Sequence, residues 1–229
     1  MTIEFISGSK PLVGDVEPPP NLLHLMWTGL GADPGGYAAG MRAQASAVLG
    51  MYPKSDYAII AWDGDGWGED AAIKQCQDVL GIIQRGNSVG PYTRIICRGH
   101  SFGGCFLVYF LNWLIKFDRV AIDLALFLDP VPEMNLAEDG HPLAFVGRTP
   151  WTVPMDLVSK ALQILQHNGS SWWFPIGPNG TQLIDPANTG RLATVEVSRE
   201  RNPKIYHGDV PADPRTWAMQ LMLIQEVMS

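Results

Sequence analysis

The chain has 229 residues, 46% of them hydrophobic and 17% charged, with a formal net charge of −7. That is ample for a large core, and α/β folds of this length are often undivided, so one domain spanning 1–229 is expected. An acidic chain with so few charges excludes a nucleic-acid footprint and a polybasic membrane patch, and leaves an uncharged small molecule or lipid ester as a partner.

Residues 1–20 are polar and then proline-rich, through Glu17-Pro18-Pro19-Pro20. They read as an arm or an irregular first strand, because proline cannot donate to a ladder. Met1 to Asp15 lacks a basic region followed by an apolar run and a small-residue cleavage site, so no signal peptide is expected. No apolar run is long enough to span a bilayer. The expected protein is soluble, and cytoplasmic or released without a signal peptide. Cys76, Cys97 and Cys105 make an odd set with no pairing pattern. They form no disulfide framework, and Cys97 and Cys105 lie in apolar segments where buried thiols are expected.

Asn21 to Trp27 is an apolar run that ends in Thr28-Gly29-Leu30-Gly31-Ala32-Asp33-Pro34-Gly35-Gly36, a strand followed by a glycine-rich loop. Tyr37 to Met51 reads as a helix. Tyr57 to Trp62 is the next strand. Glu69 to Gln84 is the next helix, with Ala72, Ile73, Cys76, Val79, Leu80 and Ile83 at helical spacing. A strand from Arg94 runs into Gly99-His100-Ser101-Phe102-Gly103-Gly104 and then a helix, Cys105 to Phe117. Val120 to Leu128 is another apolar strand, closed by Asp129-Pro130-Val131-Pro132. Residues 21–132 therefore alternate strand and helix with short connections and nearly uniformly apolar strands. That is the pattern of a mostly parallel central sheet with helices on both faces.

Beyond Pro132 the pattern weakens. Glu133 to Pro150 reads as a loop, and Met155 to Gln166 fits either a helix or a buried strand. Gly169 to Gly190, with Trp172-Trp173-Phe174 among glycines, prolines and asparagines, reads as a long excursion. Residues 133–191 are thus a candidate cap or flap insertion. Leu192 to Ser198 alternates as an edge strand does. Pro214 to Met228 is a final helix, with Pro214 in its first turn and Asp213 as its N-cap.

The chemistry centres on Ser101. G-x-S-x-G alone is a weak pattern, but here an apolar strand precedes it and an apolar helix follows. A nucleophile elbow needs that context, because the tight turn lifts the serine clear of the backbone. The flanking glycines keep Cβ atoms out of a crowded turn, and the helix aims its N-terminal N–H groups at the serine. The bland alternative is a glycine-rich connection in which Ser101 only caps the helix.

A serine nucleophile needs a base, and the base needs an orienting group. For this topology the chain order is serine, acid, histidine. Of the five histidines, His24 lies inside an apolar strand, His100 is the variable residue of the pentapeptide, and His141 and His167 fall in unassigned segments. His207 follows the last strand and precedes the last helix, so it is the candidate base; the alternative is a surface histidine beside Asp209. Asp129, at the carboxyl end of the strand after the elbow helix, is the candidate acid, since active groups in parallel sheets gather at those ends. Asp156 and Asp185 are the alternatives one strand later. The oxyanion hole needs two prearranged backbone donors. Phe102 N–H, after the nucleophile, and Leu30 N–H, in the loop after the first main strand, are the candidates.

With these residues in place the chain resembles an α/β-hydrolase of the small esterase or lipase type. Gly99-His100-Ser101-Phe102-Gly103-Gly104 matches the G-H-S-x-G-G form of lipases. Thr28-Gly29-Leu30-Gly31 resembles their H-G-x-G oxyanion loop, with threonine in place of histidine. Leu128-Asp129-Pro130 resembles the triad acid of lipases that place it one strand early, and His207-Gly208-Asp209 with the closing helix resembles the family's final loop and helix. The resemblance covers about residues 21–132 and 192–228. It implies a serine hydrolase cleaving carboxylic esters through an acyl-enzyme. Trp151, Trp172, Trp173 and Phe174 then either line an apolar acyl pocket or fill core beneath a long loop.

No cofactor or metal is implied, because H-E-x-x-H and zinc-type cysteine spacing are absent. Amide or thioester hydrolysis would use the same residues. A non-catalytic α/β-hydrolase-like binding or structural module is the alternative of another class. A nucleotide site at 29–36 is disfavoured, because that loop contains neither G-x-x-x-x-G-K-[ST] nor a proper G-x-G-x-x-G.

Overall fold

The computed structural model describes residues 2–8, 21–29, 37–61, 68–87, 90–130, 151–166, 182–197, 206 and 208–229. Seven strands form one sheet: β1 (Thr2–Ser7), β2 (Leu22–Trp27), β3 (Asp56–Ala61), β4 (Arg94–His100), β5 (Ile122–Leu128), β6 (Val158–Gln166) and β7 (Leu192–Val197). Their spatial order is β1-β3-β2-β4-β5-β6-β7. β1 pairs antiparallel with β3 at one edge, and every other pairing is parallel. Four helices are described with the sheet: α1 (Tyr37–Met51), α2 (Glu69–Arg85), α3 (Phe102–Phe117) and α4 (Pro214–Met228).

The strand order fixes where the helices go. β2 leads through α1 to β3 on one side of it. β3 then leads through α2 back past β2 to β4 on its other side. Because such crossovers are right-handed, this reversal puts α1 on one face and α2 and α3 on the other. The core divides accordingly. Leu23, Leu25, Trp27, Cys97, Ala125 and Phe127 pack with α2 and α3. The alternate residues Leu22, Ile96, Leu124, Leu126 and Leu128 pack with Val48 of α1 and with Leu223, Ile224 and Met228 of α4. Met41 and Ala45 of α1 cover Met26, Tyr57 and Ile59. Both faces are dry, which is why the central strands read as continuous apolar runs rather than as alternation.

α3 is buried nearly all round, including Phe102, Cys105, Phe106, Val108, Phe110, Leu111 and Leu114. A helix with apolar residues on every side belongs in a core. α2 shows the ordinary one-sided pattern, burying Ala72, Gln75, Cys76, Val79 and Ile83. α4 begins as its sequence implies: Asp213 accepts a hydrogen bond from Arg215 N–H, and Pro214 occupies the first turn.

Three segments sharpen the sequence reading. The stretch that fitted helix or strand is β6, a strand whose last six residues are all buried. The N-terminal segment forms a regular strand, β1. The elbow helix starts at Phe102, three residues before the apolar run that announced it. Cys76, Cys97 and Cys105 are free and buried, and burial pushes all three thiols up. No helix among the described residues is long and apolar enough to cross a membrane.

Candidate active site

In an open parallel sheet, ligand crevices form at the carboxyl ends of the strands where the strand order reverses. Here the reversal lies between β2 and β4, and the registers align the residues just past each strand end. Trp27 pairs with Gly99 and His100 with Leu128, while Leu128 pairs with Ile164. Continuing each strand past its last pair brings Gly29 beside Ser101, Ser101 beside Asp129, and Asp129 beside the end of β6. The contacts agree. A Cβ on Gly29 would stand 3.1 Å from Ser101 Cβ and 3.5 Å from Ser101 Oγ. Ser101 N–H donates to Leu128 carbonyl at 3.0 Å, and Asp129 N–H to Ile164 carbonyl at 2.7 Å.

Ser101 sits between β4 and α3 with φ 56° and ψ −128°. This is a backbone conformation that a residue with a Cβ adopts only under constraint. The constraint is visible in the surrounding glycines, two of which take backbone contact where a side chain would be. A Cβ on Gly99 would lie 2.5 Å from Gly103 carbonyl oxygen, and one on Gly103 would lie 2.3 Å from Thr28 carbonyl oxygen. The first turn of α3 is thus pressed against both its own strand and the end of β2. Ser101 carbonyl accepts from Gly104 N–H at 3.0 Å and opens the helix. The side chain of Ser101 is half-buried, not sealed.

Asp129 is the second strained residue of this row, with φ 46°. Its side chain is fully buried. Oδ1 accepts from Gln166 N–H at 3.2 Å, so the end of β6 holds the carboxylate. Pro130 packs on the first turn of α3, where a Cβ on Gly104 would meet Pro130 Cβ at 2.8 Å. The Cys105 thiol is pushed well up, first by burial and then by the Asp129 carboxylate. Burying a carboxylate is expensive unless it is hydrogen-bonded or paired. The two alternative acids lie elsewhere. Asp156, which precedes β6, is exposed beside Arg119 at 3.7 Å. Asp185 is half-buried and closes a turn through Ala187 N–H and through Thr189 N–H and hydroxyl.

Phe102 occupies the first position of α3, with its side chain buried. Leu30 lies outside the described residues, as do His207, Trp172, Trp173 and Phe174. Gly29 is the last described residue of the loop after β2 and brings its backbone against Ser101. Around position 207, Tyr206 carbonyl accepts from Asp209 N–H at 2.9 Å, and Asp209 Oδ2 accepts from Tyr206 N–H at 3.0 Å. Val210 carbonyl accepts from the Thr216 hydroxyl at 2.5 Å. Pro211 carbonyl accepts from Gln44 Nε2 at 2.6 Å and from Arg98 Nη2 at 2.8 Å.

The other described histidines have different settings. His24 is fully buried in β2 against the Tyr57 ring, 4.4 Å between centroids. Burial, and then the nearby Arg98 charge, push its pKa well below the ordinary 6.5. His100 is buried, with Nδ1 3.8 Å from the place a Gly29 Cβ would occupy. His141 and His167 lie outside the described residues. Trp151 packs against the core on the α3 side of the sheet, which is the core-filling alternative for that residue. No group of three or more His, Cys, Asp or Glu side chains among the described residues is arranged to hold a metal ion.

Sequence reasoning missed Gly29 as the residue facing Ser101, Gln166 as a partner of Asp129, and Arg98. A glycine just past a strand end was the available signal for the first. Gln166 and Arg98 carry no motif.

No protein-family model matches the chain, and no curated protein matches it in sequence. Solved structures do match in fold. An arylesterase superposes with TM-score 0.57 at 8% identity, over 100% of this chain and 86% of that one. A hyperthermophilic esterase from the archaeon Pyrobaculum calidifontis gives TM-score 0.56 at 14% identity, over 99% and 84%. A structure of the metagenome-derived lipolytic enzymes LipS and LipT gives TM-score 0.54 at 12% identity, over 91% and 93%. The mostly parallel seven-stranded sheet and these likenesses give the chain the α/β-hydrolase fold.

Proposed function

We propose that this protein is a serine hydrolase of carboxylic esters, with Ser101 as nucleophile, His207 as base and Asp129 as the acid that orients it. The observation that carries the reading is the pairing of Ser101 and Asp129. They are two of the three non-glycine residues with positive φ among the described residues, and they directly follow the adjacent parallel strands β4 and β5, with Ser101 beside the reversal of strand order. Backbone strain of this kind persists only where the surrounding structure over-determines it, and such residues cluster at active sites. Asn188, the third, lies in an exposed turn. The esterases and lipolytic enzymes among the fold neighbours agree with the reading.

In the proposed reaction His207 takes the Ser101 hydroxyl proton as Oγ attacks the ester carbonyl. The tetrahedral oxyanion is met by Phe102 N–H and Leu30 N–H, aided by the N-terminal dipole of α3. Collapse expels the alcohol, which receives the proton from His207, and leaves Ser101 acylated. Water, deprotonated by His207, then attacks the acyl-enzyme and releases the acid and free Ser101. Asp129 keeps the imidazole in the useful tautomer and stabilises its charged form. Trp172, Trp173 and Phe174 are proposed to line the acyl side, consistent with a small-molecule or lipid ester as substrate.

The test is labelling with a fluorophosphonate and location of the adduct by mass spectrometry. An adduct on Ser101 that is lost in Ser101→Ala supports the reading, and no adduct, or equal labelling of the variant, overturns it. A p-nitrophenyl ester series of rising chain length then separates esterase from lipase behaviour, and matched amides and thioesters test the bond cleaved.

A further inference from the structure

The described residues hold one buried cation that the proposed chemistry does not use. Arg98 lies on β4, three residues before Ser101, and is fully buried. Alternation along β4 sends its side chain to the α1 and α4 face, opposite Cys97. There its guanidinium lies over the Trp217 ring of α4, 5.4 Å from the centroid. Nη2 donates to Pro211 carbonyl at 2.8 Å, while Nε and Nη1 are buried with no hydrogen-bond partner among the described residues. Burial disfavours the charge, and the nearby Tyr57 hydroxyl offsets only part of that. No ion pair with a described carboxylate accompanies it. Burying a guanidinium against neutral oxygens is costly, and an apolar side chain of similar volume would fill the space at lower cost. Core filling is therefore a poor account of this residue.

Its carbonyl acceptor is informative. Pro211 carbonyl takes a second donor, Gln44 Nε2 of α1, at 2.6 Å. Two side chains from different elements converge on one backbone oxygen four residues beyond His207. The carbonyl belongs to a compact turn. Ala212 N–H and Asp213 N–H donate to Asp209 carbonyl at 3.0 and 2.8 Å, and Asp209 N–H donates to Tyr206 carbonyl. Val210 is fully buried, and its carbonyl is held by Thr216. Tyr206 and the turn from Gly208 to Asp213 are thus hydrogen-bonded to one another and clamped from outside at Pro211. One of the two clamping side chains comes from the strand that ends at Ser101.

We infer that Arg98 is a positioning residue, which with Gln44 clamps Pro211 carbonyl and ties the turn from Gly208 to Asp213, which follows His207 in the chain, to the nucleophile strand. This rests on the reading of Ser101 and His207 as nucleophile and base. The physical need is plain: a base on a loop gains precision only if the loop is tied to the element that carries the nucleophile, and small misplacements cost large factors in rate. A charged donor forms a stronger hydrogen bond than a neutral one.

The test uses the whole chain with Arg98→Met, Arg98→Lys and Gln44→Met. Active sites are titrated by fluorophosphonate, so that turnover is counted per competent serine. A p-nitrophenyl ester gives kcat and KM, the pH profile of labelling reports the base, and Tm is measured alongside. For Arg98→Met the expected result is a fall in kcat per titrated site of about tenfold to a hundredfold, at little-changed KM, with a displaced midpoint in the labelling pH profile. Arg98→Lys should recover part of the loss, and Gln44→Met should show a smaller loss in the same direction. If Arg98→Met does not fold, Gln44→Met decides: unchanged kcat per site and an unchanged pH profile overturn the inference. So does an Arg98→Met protein that loses Tm but keeps its kcat per titrated site. Failure of the parent reading looks different, because then the unmodified chain itself gives no Ser101 adduct, or His207→Ala labels as fast as it does.

Discussion

Ser101 N–H donates to the carbonyl of Leu128, the residue before Asp129, at 3.0 Å. One backbone bond thus locks the turn that bears the candidate nucleophile to the turn that bears the candidate acid. Each turn residue has positive φ, so each side chain leaves the sheet's alternation where its strand ends. If Asp129 orients the base, Asp129→Asn should keep the fold, because asparagine tolerates positive φ and can still accept from Gln166 N–H. Its kcat/KM should fall by about 10³ to 10⁴, as expected when the base loses its orienting charge. Steady-state ester hydrolysis checks this, and a loss below about tenfold would assign the acid elsewhere.

The strain at Ser101 has a measurable counterpart. Glycine reaches φ 56°, ψ −128° without a Cβ penalty. Ser101→Gly should therefore abolish ester hydrolysis and raise stability by about 1 kcal/mol, or about 2–4 °C in Tm. Calorimetry of the two proteins is the measurement, and a lower Tm for the variant would remove the case for stored strain.

Two glycines near the site should respond differently, one mainly in stability and the other mainly in activity. A Cβ on Gly103 would stand 2.3 Å from Thr28 carbonyl oxygen, against backbone that has no room to retreat. Gly103→Ala should destabilise by about 3 kcal/mol or more, or fail to accumulate folded. A Cβ on Gly29 would instead press on Ser101 Cβ at 3.1 Å. Gly29→Ala should cost under about 1.5 kcal/mol in stability but lower kcat/KM about tenfold, because it crowds the serine. Thermal melts paired with ester kinetics separate the two effects.

His24 gives the fold a pH dependence of predictable sign. Its folded pKa lies well below 6.5 because burial, and then Arg98, disfavour the imidazolium. Below about pH 6.5 the unfolded chain binds a proton at this residue that the folded chain refuses. Stability contributed by neutral His24 is therefore present above that pH and is lost as pH falls below it. Tm should decline between about pH 7 and about pH 5, and His24→Phe should flatten the decline. The carboxylates held low by their partners, Glu4, Asp185 and Asp213, begin to act only at more acidic pH, so the decline that sets in just below about pH 6.5 belongs to His24 rather than to them.

The thiols offer a check on packing. Cys76, Cys97 and Cys105 are buried, and burial raises their pKa values. An aromatic disulfide reagent should find no reactive thiol in the native protein and three after denaturation, since only an accessible thiolate reacts. Fast reaction of any one in the native state would place it at the surface.

The sequence by itself determined the elements whose signals are local. Strand, turn and helix alternate from β2 to β5 because apolar runs are punctuated by glycine and proline. Pro214 and Asp213 mark the start of α4, and G-x-S-x-G between an apolar strand and an apolar helix marks the elbow. The place of Asp129 just past a strand end was legible too, because it needs only the strand to be found. Other features depended on distant partners. β6 could not be told from a helix, because a strand buried on both faces loses its alternation, and only pairing with β5 and β7 decided it. Nothing local to Gly29 says that it meets Ser101; that comes from the register of β2 against β4. Gln166 became a partner of Asp129 through the β5–β6 pairing, and Arg98 reached Pro211 across more than a hundred residues of chain. Local sequence sets conformation through turn chemistry and burial pattern, whereas contacts between strand ends and between layers exist only once the sheet has chosen its order.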